Sequence, residues 1–389
     1  MKKVAIIYHY IALYRLPIFQ ELMRTNPDIE YTLFAGTSSE INIKKIDINL
    51  SSVPLERGGL RWSFLKNKWL LKRKFLWQGG LMKAVTRENF DAYIFLGSPY
   101  FISTWLAVII ARLRGKKIYY WMHGVYKDNI TAVDKVKLFV FYKLAHGFFL
   151  YGNRAAAILR KYNVKPAEDI HVIYNSLDYE KNLKIRRPFE MEAITSFRAK
   201  FFKNTDIPVV IFIGRLNQVK RIDMLIEAQS ILKNRLGKDF FNLLVIGDGE
   251  QRVILEKQTR NHGLEDAVVF LGAVYDEVEN GYLLSSADLC VTPGEVGLTA
   301  IHSLSYGTPV ISHDNLNTQM PEVEAIKPGF TGELYSYNSI DSLVEVINNW
   351  FSRHPAKDEK MIQQCYQVVD THFNPYYQSA ILNTVLKKV

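Results

Sequence analysis

The chain has 389 residues, 48% of them apolar and 23% charged, a balance that excludes disordered, collagen-like and disulfide-stapled architectures and leaves room for two domains at roughly 100–200 residues each. Its formal net charge of +10 is unevenly spread: residues 1–200 carry 33 Lys+Arg against 16 Asp+Glu, residues 201–389 carry 16 against 23. A basic half beside an acidic half predicts that one side faces an anionic partner, and the two cysteines, Cys290 and Cys365, suit a reducing compartment.

The apolar run after Met1 meets His9 and Arg15 with no small-residue cleavage site, so KKVAIIYHY reads as a strand, not a leader. IEYTLFAG, DAYIFLG, KKIYYWMHG, HGFFLYG and DIHVIYN are further strand-like runs. RLPIFQELMR, STWLAVIIARLR, TAVDKVKLFVFYKLA and NRAAAILRKY lie between them as helices. The greasiest stretches, PYFISTWLAVIIARL and KLFVFYKLAHGFFLY, fall short of the ~20 apolar residues that a spanning helix needs.

Residues 57–78, RGGLRWSFLKNKWLLKRKFLWQ, hold seven Lys+Arg and no acid, with Trp62, Phe64, Trp69, Phe75 and Trp77 interleaved. That mixture predicts an element that meets an anionic membrane surface; the plainer alternative is a surface helix with its aromatics turned to the core. Single-stranded nucleic acid would use similar ingredients, but no RRM, KH or helix-turn-helix pattern accompanies them, and no nucleic-acid partner is expected.

The second half repeats the alternation. IPVVIFIG, FNLLVIGDG, AVVFLG, ADLCVTP and TPVISHD are strands, and RIDMLIEAQSILKNR is a helix with Ile222, Leu225, Ala228 and Leu232 on one face. Strands alternating with helices predict an α/β class with two Rossmann-like parallel sheets facing a central cleft. The divisions are 1–180, a charged strandless link at 181–207, 208–368, and a C-terminal helix at 369–389 crossing back to the first domain.

After IPVVIFIG, Arg215 and Lys220 fall in a strand-to-helix loop where two cations can hold a diphosphate; the alternative is a merely solvated loop, and no GxxxxGK[ST] is present. In PGEVGLTAIHSLSYGTPVI, Gly297-Leu298-Thr299 open a helix that stops before Pro309. Gly297 would let a phosphate approach, with the Leu298 and Thr299 amides pointing outward; an ordinary tight turn is the alternative. No DxD pair or clustered His suggests a metal site.

FIGRLNQVKRIDMLIEA, VIGDGEQR, VVFLGAV and ADLCVTPGEVGLTAIHSLSYGTPVI, in this order over about 130 residues, resemble the donor domain of family 4 glycosyltransferases, which have the GT-B fold. HYIALYRLPIFQEL and VIYNSLD agree more loosely with that family's first loop and its Asn-Gly-x-Asp turn. The resemblance implies retaining transfer of a sugar from a nucleotide diphosphate sugar, UDP by default, with no metal and no other cofactor. It implies that Arg215 and Lys220 neutralise the leaving diphosphate. Gly214, Gly249, Glu250 and Val274 would border the nucleotide, His123 would face the donor sugar, and Tyr14 and Arg15 would lie on the acceptor side. It further implies a polyprenyl-diphosphate-linked saccharide acceptor, a role in surface-polysaccharide synthesis, and a cytoplasmic place on the inner face of the plasma membrane.

The sequence departs from the family in one place. Most members carry two glutamates around the Gly-Leu helix start; here Gly294 and His302 stand in their register, with Glu295 one position out. His302 can donate only one hydrogen bond to a ribose hydroxyl, which leaves a thymidine diphosphate donor as an alternative hypothesis. A GT-B nucleotide-sugar epimerase and a non-catalytic docking module stay open beside the transferase.

Overall fold

A computed structural model describes residues 1–24, 26–38, 43–125, 127, 130–186 and 191–389, the side chains of 191–193 aside. The chain divides into two units, residues 1–178 with 372–389, and residues 179–371.

In the first unit the strands are β1 (Lys2–Tyr8), β2 (Ile29–Ala35), β3 (Trp62–Phe64), β4 (Lys66–Leu70), β5 (Phe75–Gly79), β6 (Ala92–Leu96), β7 (Lys117–Met122), β8 (Gly147–Leu150) and β9 (Ile170–Val172). Seven of them form a parallel sheet in the order β3-β2-β1-β6-β7-β8-β9. Consecutive residues turn to opposite faces. Tyr120 and Phe148 enter one core with Phe95, while Trp121 and Phe149 enter the other with Ile6. Both faces are covered, which is why these strands read as continuous apolar runs.

The second unit holds β10 (Val209–Ile213), β11 (Asn242–Ile246), β12 (Val268–Gly272), β13 (Leu289–Val291), β14 (Val310–His313) and β15 (Gly332–Tyr335), ordered β12-β11-β10-β13-β14-β15. The expected pair of Rossmann-like parallel sheets is borne out. In each sheet the order reverses once, beside β1 in the first unit and beside β10 in the second. Ligands of open α/β sheets bind at such a reversal, outside the carboxyl ends of the strands.

The 57–78 segment is not a helix. It supplies β3 and the antiparallel hairpin β4-β5. Trp62 is buried and its indole donates to the Ala35 carbonyl, Trp69 and Trp77 are half-buried, and of the five aromatics only Phe64 is exposed. Alternation along a strand sends every second side chain to the same face: Trp69 pairs with buried Leu76 on one face of the hairpin, while Lys68 pairs with Trp77 on the other. The link expected at 181–207 carries the helices Tyr179–Ile185 and Met191–Arg198, with 187–190 outside the described residues. Arg198 pairs with Asp288 at 2.8 Å, which ties that segment to the second unit. Residues 372–389 return to the first unit, where Leu382 and Leu386 join the core and Tyr31 donates to Asn383 at 2.6 Å. Among the described residues no helix is long and apolar enough to cross a membrane.

Candidate functional site

In the second unit, three loops at the carboxyl edge of the sheet are fastened to one another through their backbones. Leu216 N donates to the Asp248 carbonyl at 2.9 Å, and Gln251 N to the Leu216 carbonyl at 3.1 Å, which joins the loops after β10 and β11. Gly294 N donates to the Lys220 carbonyl at 2.9 Å, which joins the loop after β13 to the first. Such close approach needs glycine. A Cβ at Gly249 would lie 2.3 Å from the Leu216 oxygen, and one at Gly294 only 1.8 Å from the Val219 oxygen. Gly294 therefore does not merely replace a family glutamate: no side chain fits at that position.

The loop after β13 is also buttressed from within. Tyr335 donates to the Pro293 carbonyl at 2.7 Å, and Ser312 to the Gly294 carbonyl at 3.1 Å. Gln319 accepts from Val296 N at 3.0 Å while its amide donates to Ser312 at 2.7 Å. Gly297 follows in the left-handed region at φ 53°, and the helix Thr299–Ser305 begins, pinned by Thr299 Oγ1 donating to the Ile213 carbonyl at 3.0 Å.

The two predicted cations sit differently on this frame. Arg215 is exposed at the edge. Lys220 is half-buried and its ammonium donates to the Glu295 carbonyl; burial lowers its pKa, against the opposing influence of Glu295 and Glu322. Glu250 is exposed after β11, and Val274, after β12, accepts from Asn280 at 3.4 Å. The structure thus brings Gly214, Arg215, Lys220, Gly249, Glu250, Val274, Gly294, Glu295, Gly297, Leu298, Thr299 and His302 to the carboxyl edge of four adjacent strands.

His302 has a partner that sequence reasoning missed. Its Nε2 lies 2.9 Å from Glu277 Oε1, and the Tyr306 hydroxyl donates to the same oxygen at 2.8 Å. Burial pushes the Glu277 carboxyl up, yet His302 and Tyr306 outweigh it and hold it below the usual range. A carboxylate absent at 302 thus arrives from the next helix, Glu277–Ser286. Among the described residues no group of three His, Cys, Asp or Glu is placed to hold a metal ion. A cavity of about 330 Å³ opens behind the Arg215–Lys220 loop beside Asn217, Gln218 and Arg221, but Arg221 is taken up by Asp223 and Asn338.

The first unit has its own polar cluster at the equivalent edge. Arg15 is 3% exposed, its guanidinium 4.5 Å from the Trp121 ring and near those of Tyr8, Phe19 and Tyr151. Nη1 donates to Tyr151 and, at 3.4 Å, to Asn175, while Nε and Nη2 find no acceptor among the described residues. Arg15 is therefore a cation caged by aromatic rings, and Tyr14 beside it is half-buried. His123 follows β7 with its ring 4.7 Å from Tyr151 and its outer edge open. Desolvation by the surrounding protein, then Arg15, pushes its pKa down to about 4; the same two causes take His9 to about 3. Both imidazoles are neutral at pH 7.

Residues 193–368 match the family Glycosyl transferases group 1. The chain is 28% identical over 195 residues to an uncharacterized glycosyltransferase of Methanocaldococcus jannaschii, covering 48% of this chain and 47% of that protein. It is 23% identical to the alpha-monoglucosyldiacylglycerol synthase of Streptococcus pneumoniae, over 81% of this chain and 73% of the synthase. Apart from that synthase, the chain spans about half or less of the first curated relatives that it matches. An Anabaena protein, Alr3699/HepE, crystallised with UDP superposes over the full length of both chains with a TM-score of 0.71 at 16% identity. The two α/β units are therefore those of the GT-B fold.

Proposed function

We propose that this chain, whose residues 193–368 belong to the Glycosyl transferases group 1 family, is a retaining glycosyltransferase that takes a sugar from a nucleotide diphosphate sugar, UDP by default. The observation that carries this reading is the convergence of three glycine-fastened loops, bearing Arg215 and Lys220, on the strand-order reversal of the second sheet. In the reaction the bond between the anomeric carbon and the diphosphate oxygen breaks, a bond from that carbon to an acceptor hydroxyl oxygen forms on the same face, and the hydroxyl proton passes to the departing diphosphate. Arg215 and Lys220 hold the charge that develops on the departing diphosphate. An arriving diphosphate offsets the burial that depresses Lys220, so the ammonium keeps its proton. Neutral His123 can donate to or accept from a sugar hydroxyl without adding charge. Two cations make a bound metal unnecessary.

For the acceptor we propose a polyprenyl-diphosphate-linked saccharide, used in surface-polysaccharide synthesis at the cytoplasmic face of the membrane. The basic first unit suits such an anionic, greasy partner, and a diacylglycerol glycolipid synthase stands among the relatives.

Thermal unfolding with millimolar UDP, GDP or dTDP and no metal tests the donor site. Roughly 100-fold excess over Kd adds ~2.7 kcal/mol and a rise of several degrees. A rise with UDP that Arg215→Ala abolishes supports the reading, and a rise with dTDP alone would instead favour the thymidine donor. No rise with any nucleotide would overturn it in favour of the docking module.

A further inference from the structure

Two helices of the first unit carry apolar side chains that are not all inside. On the helix Ile102–Leu113, Ser103, Thr104, Ala107, Val108 and Ala111 face the core. Ile102, Leu106, Ile109 and Leu113 are exposed, Leu113 to 83%. Their spacing of four, three and four residues draws one continuous outward stripe. The helix Ala132–Val140 repeats the arrangement: Leu138 is buried, whereas Val133, Val136 and Val140 are exposed. Single exposed apolar residues are ordinary, but stripes on two helices are not.

These helices and the basic hairpin adjoin at Tyr100, itself exposed. Its ring lies 6.2 Å from that of Phe75 on β5, and its hydroxyl accepts from Lys137 on the second helix at 3.2 Å. Farther along, Trp105 and Phe141 pack with ring centroids 4.7 Å apart. At the hairpin tip Leu71, Lys72 and Arg73 all take positive φ, at 46°, 53° and 67°. Left-handed backbone at three successive residues without a glycine is strained. Leu71 is 75% exposed there, beside Lys72, Arg73 and Lys74.

The charge around this face is one-sided. Residues 66–74 contain five Lys+Arg and no acid, and residues 100–144 contain eight against two. Apolar stripes within a basic rim complement a bilayer with anionic headgroups, since the side chains enter the acyl boundary while lysine and arginine heads stay with the phosphates. The excess of cations in these segments favours an anionic lipid surface over a neutral protein partner.

We propose that the outward stripes of Ile102–Leu113 and Ala132–Val140, joined at Tyr100 to the hairpin tip, form one face that docks the first unit onto an anionic lipid surface. This deepens the transferase reading by naming how the chain reaches a lipid-linked acceptor. It also places the apolar anchor on these helices and the hairpin tip, beside the aromatics of 57–78, of which Trp62 is buried and three are half-buried.

The test is co-sedimentation of the full chain with phosphatidylcholine vesicles, with and without phosphatidylglycerol. The wild-type chain is expected to bind the anionic vesicles and to bind phosphatidylcholine far less. Ile109→Glu with Val136→Glu should weaken binding about tenfold or more per site, and each charge removed in a Lys72→Gln/Lys74→Gln variant about fivefold at low salt. All four side chains lie on the surface, so the variants should keep the wild-type melting temperature. Absence of wild-type binding to anionic vesicles overturns the proposal, as does full binding by Ile109→Glu/Val136→Glu. Sedimentation equilibrium adds a third way to lose it: a dimer that these two substitutions dissociate would mean that a second copy covers the face. Vesicle binding needs no donor, and the nucleotide-induced melting shift needs no vesicle, so failure here and failure of the transferase reading are told apart.

Discussion

The two units share a strand order near the site and differ in how they treat a cation at the carboxyl edge. In the second unit the edge is built of backbone: glycines let three loops touch, and Arg215 is left outside. In the first unit the edge is filled with rings, and Arg15 is sealed among Tyr8, Phe19, Trp121 and Tyr151. The same topology therefore supports a cation left exposed at the edge and a cation enclosed among rings, where it lowers the pKa of its neighbours. Charge type alone does not tell the two apart; the packing around it does.

That contrast can be broken at several points. The largest effect is expected for Gly294→Glu. It would restore a family residue yet drive a side chain into the Val219 carbonyl, costing about 3 kcal/mol or more and abolishing the nucleotide-induced rise in melting temperature. Arg215→Ala should leave the fold alone and lower turnover about a hundred- to a thousandfold; normal turnover would remove Arg215 from the chemistry.

Next in size is Glu277→Gln, which weakens the joint hold on His302 and Tyr306 and should cost about 1–2 kcal/mol in urea titration. His302→Glu sets a second carboxylate against Glu277. If that variant used the same donor unchanged, position 302 would not select the nucleotide.

The smallest effect sharpens the comparison from the first unit. His9 and His123 titrate near 3 and 4 in the folded chain, against 6.5 for a free imidazole. Below pH 6.5 the unfolded chain binds more protons, so their contribution to stability is whole above 6.5 and is lost as the pH falls toward 4. Arg15→Met keeps the volume and removes one of the two causes. It should change stability at pH 7 by less than about 1.5 kcal/mol, while NMR titration finds both imidazoles moved upward. Unmoved imidazoles would reduce Arg15 to packing.

Most of the strands and the strand-to-helix loops were legible in the sequence because parallel strands covered on both faces are continuous apolar runs ended by glycine. What could not be read were partners distant along the chain. Glu277 meets His302 from 25 residues away, Gln319 meets Val296 from 23, and Tyr335 meets Pro293 from 42. None belongs to a motif. Gly294 was visible only as a missing glutamate, since the Val219 carbonyl that forbids a side chain comes from another loop. Likewise, no spacing rule shows that Arg15 will be enclosed, because its four rings come from two strands, a helix and the residue just after β8. In 57–78 the composition carries no pairing information: the hairpin register sets Lys68 beside Trp77 and Trp69 beside buried Leu76.

The return of residues 372–389 to the first unit has a consequence for the order in which the protein is made. Leu382 and Leu386 belong to a core built mostly from residues before 178, and Gln378 accepts from Ser176 at 2.8 Å. The first unit emerges first from the ribosome, but one face of its sheet lacks part of its cover until the whole of 179–371 has been synthesised. The second unit can close while the earlier one waits. Truncation just before Pro375 should accordingly harm the amino-terminal half, the part farthest from the cut along the chain.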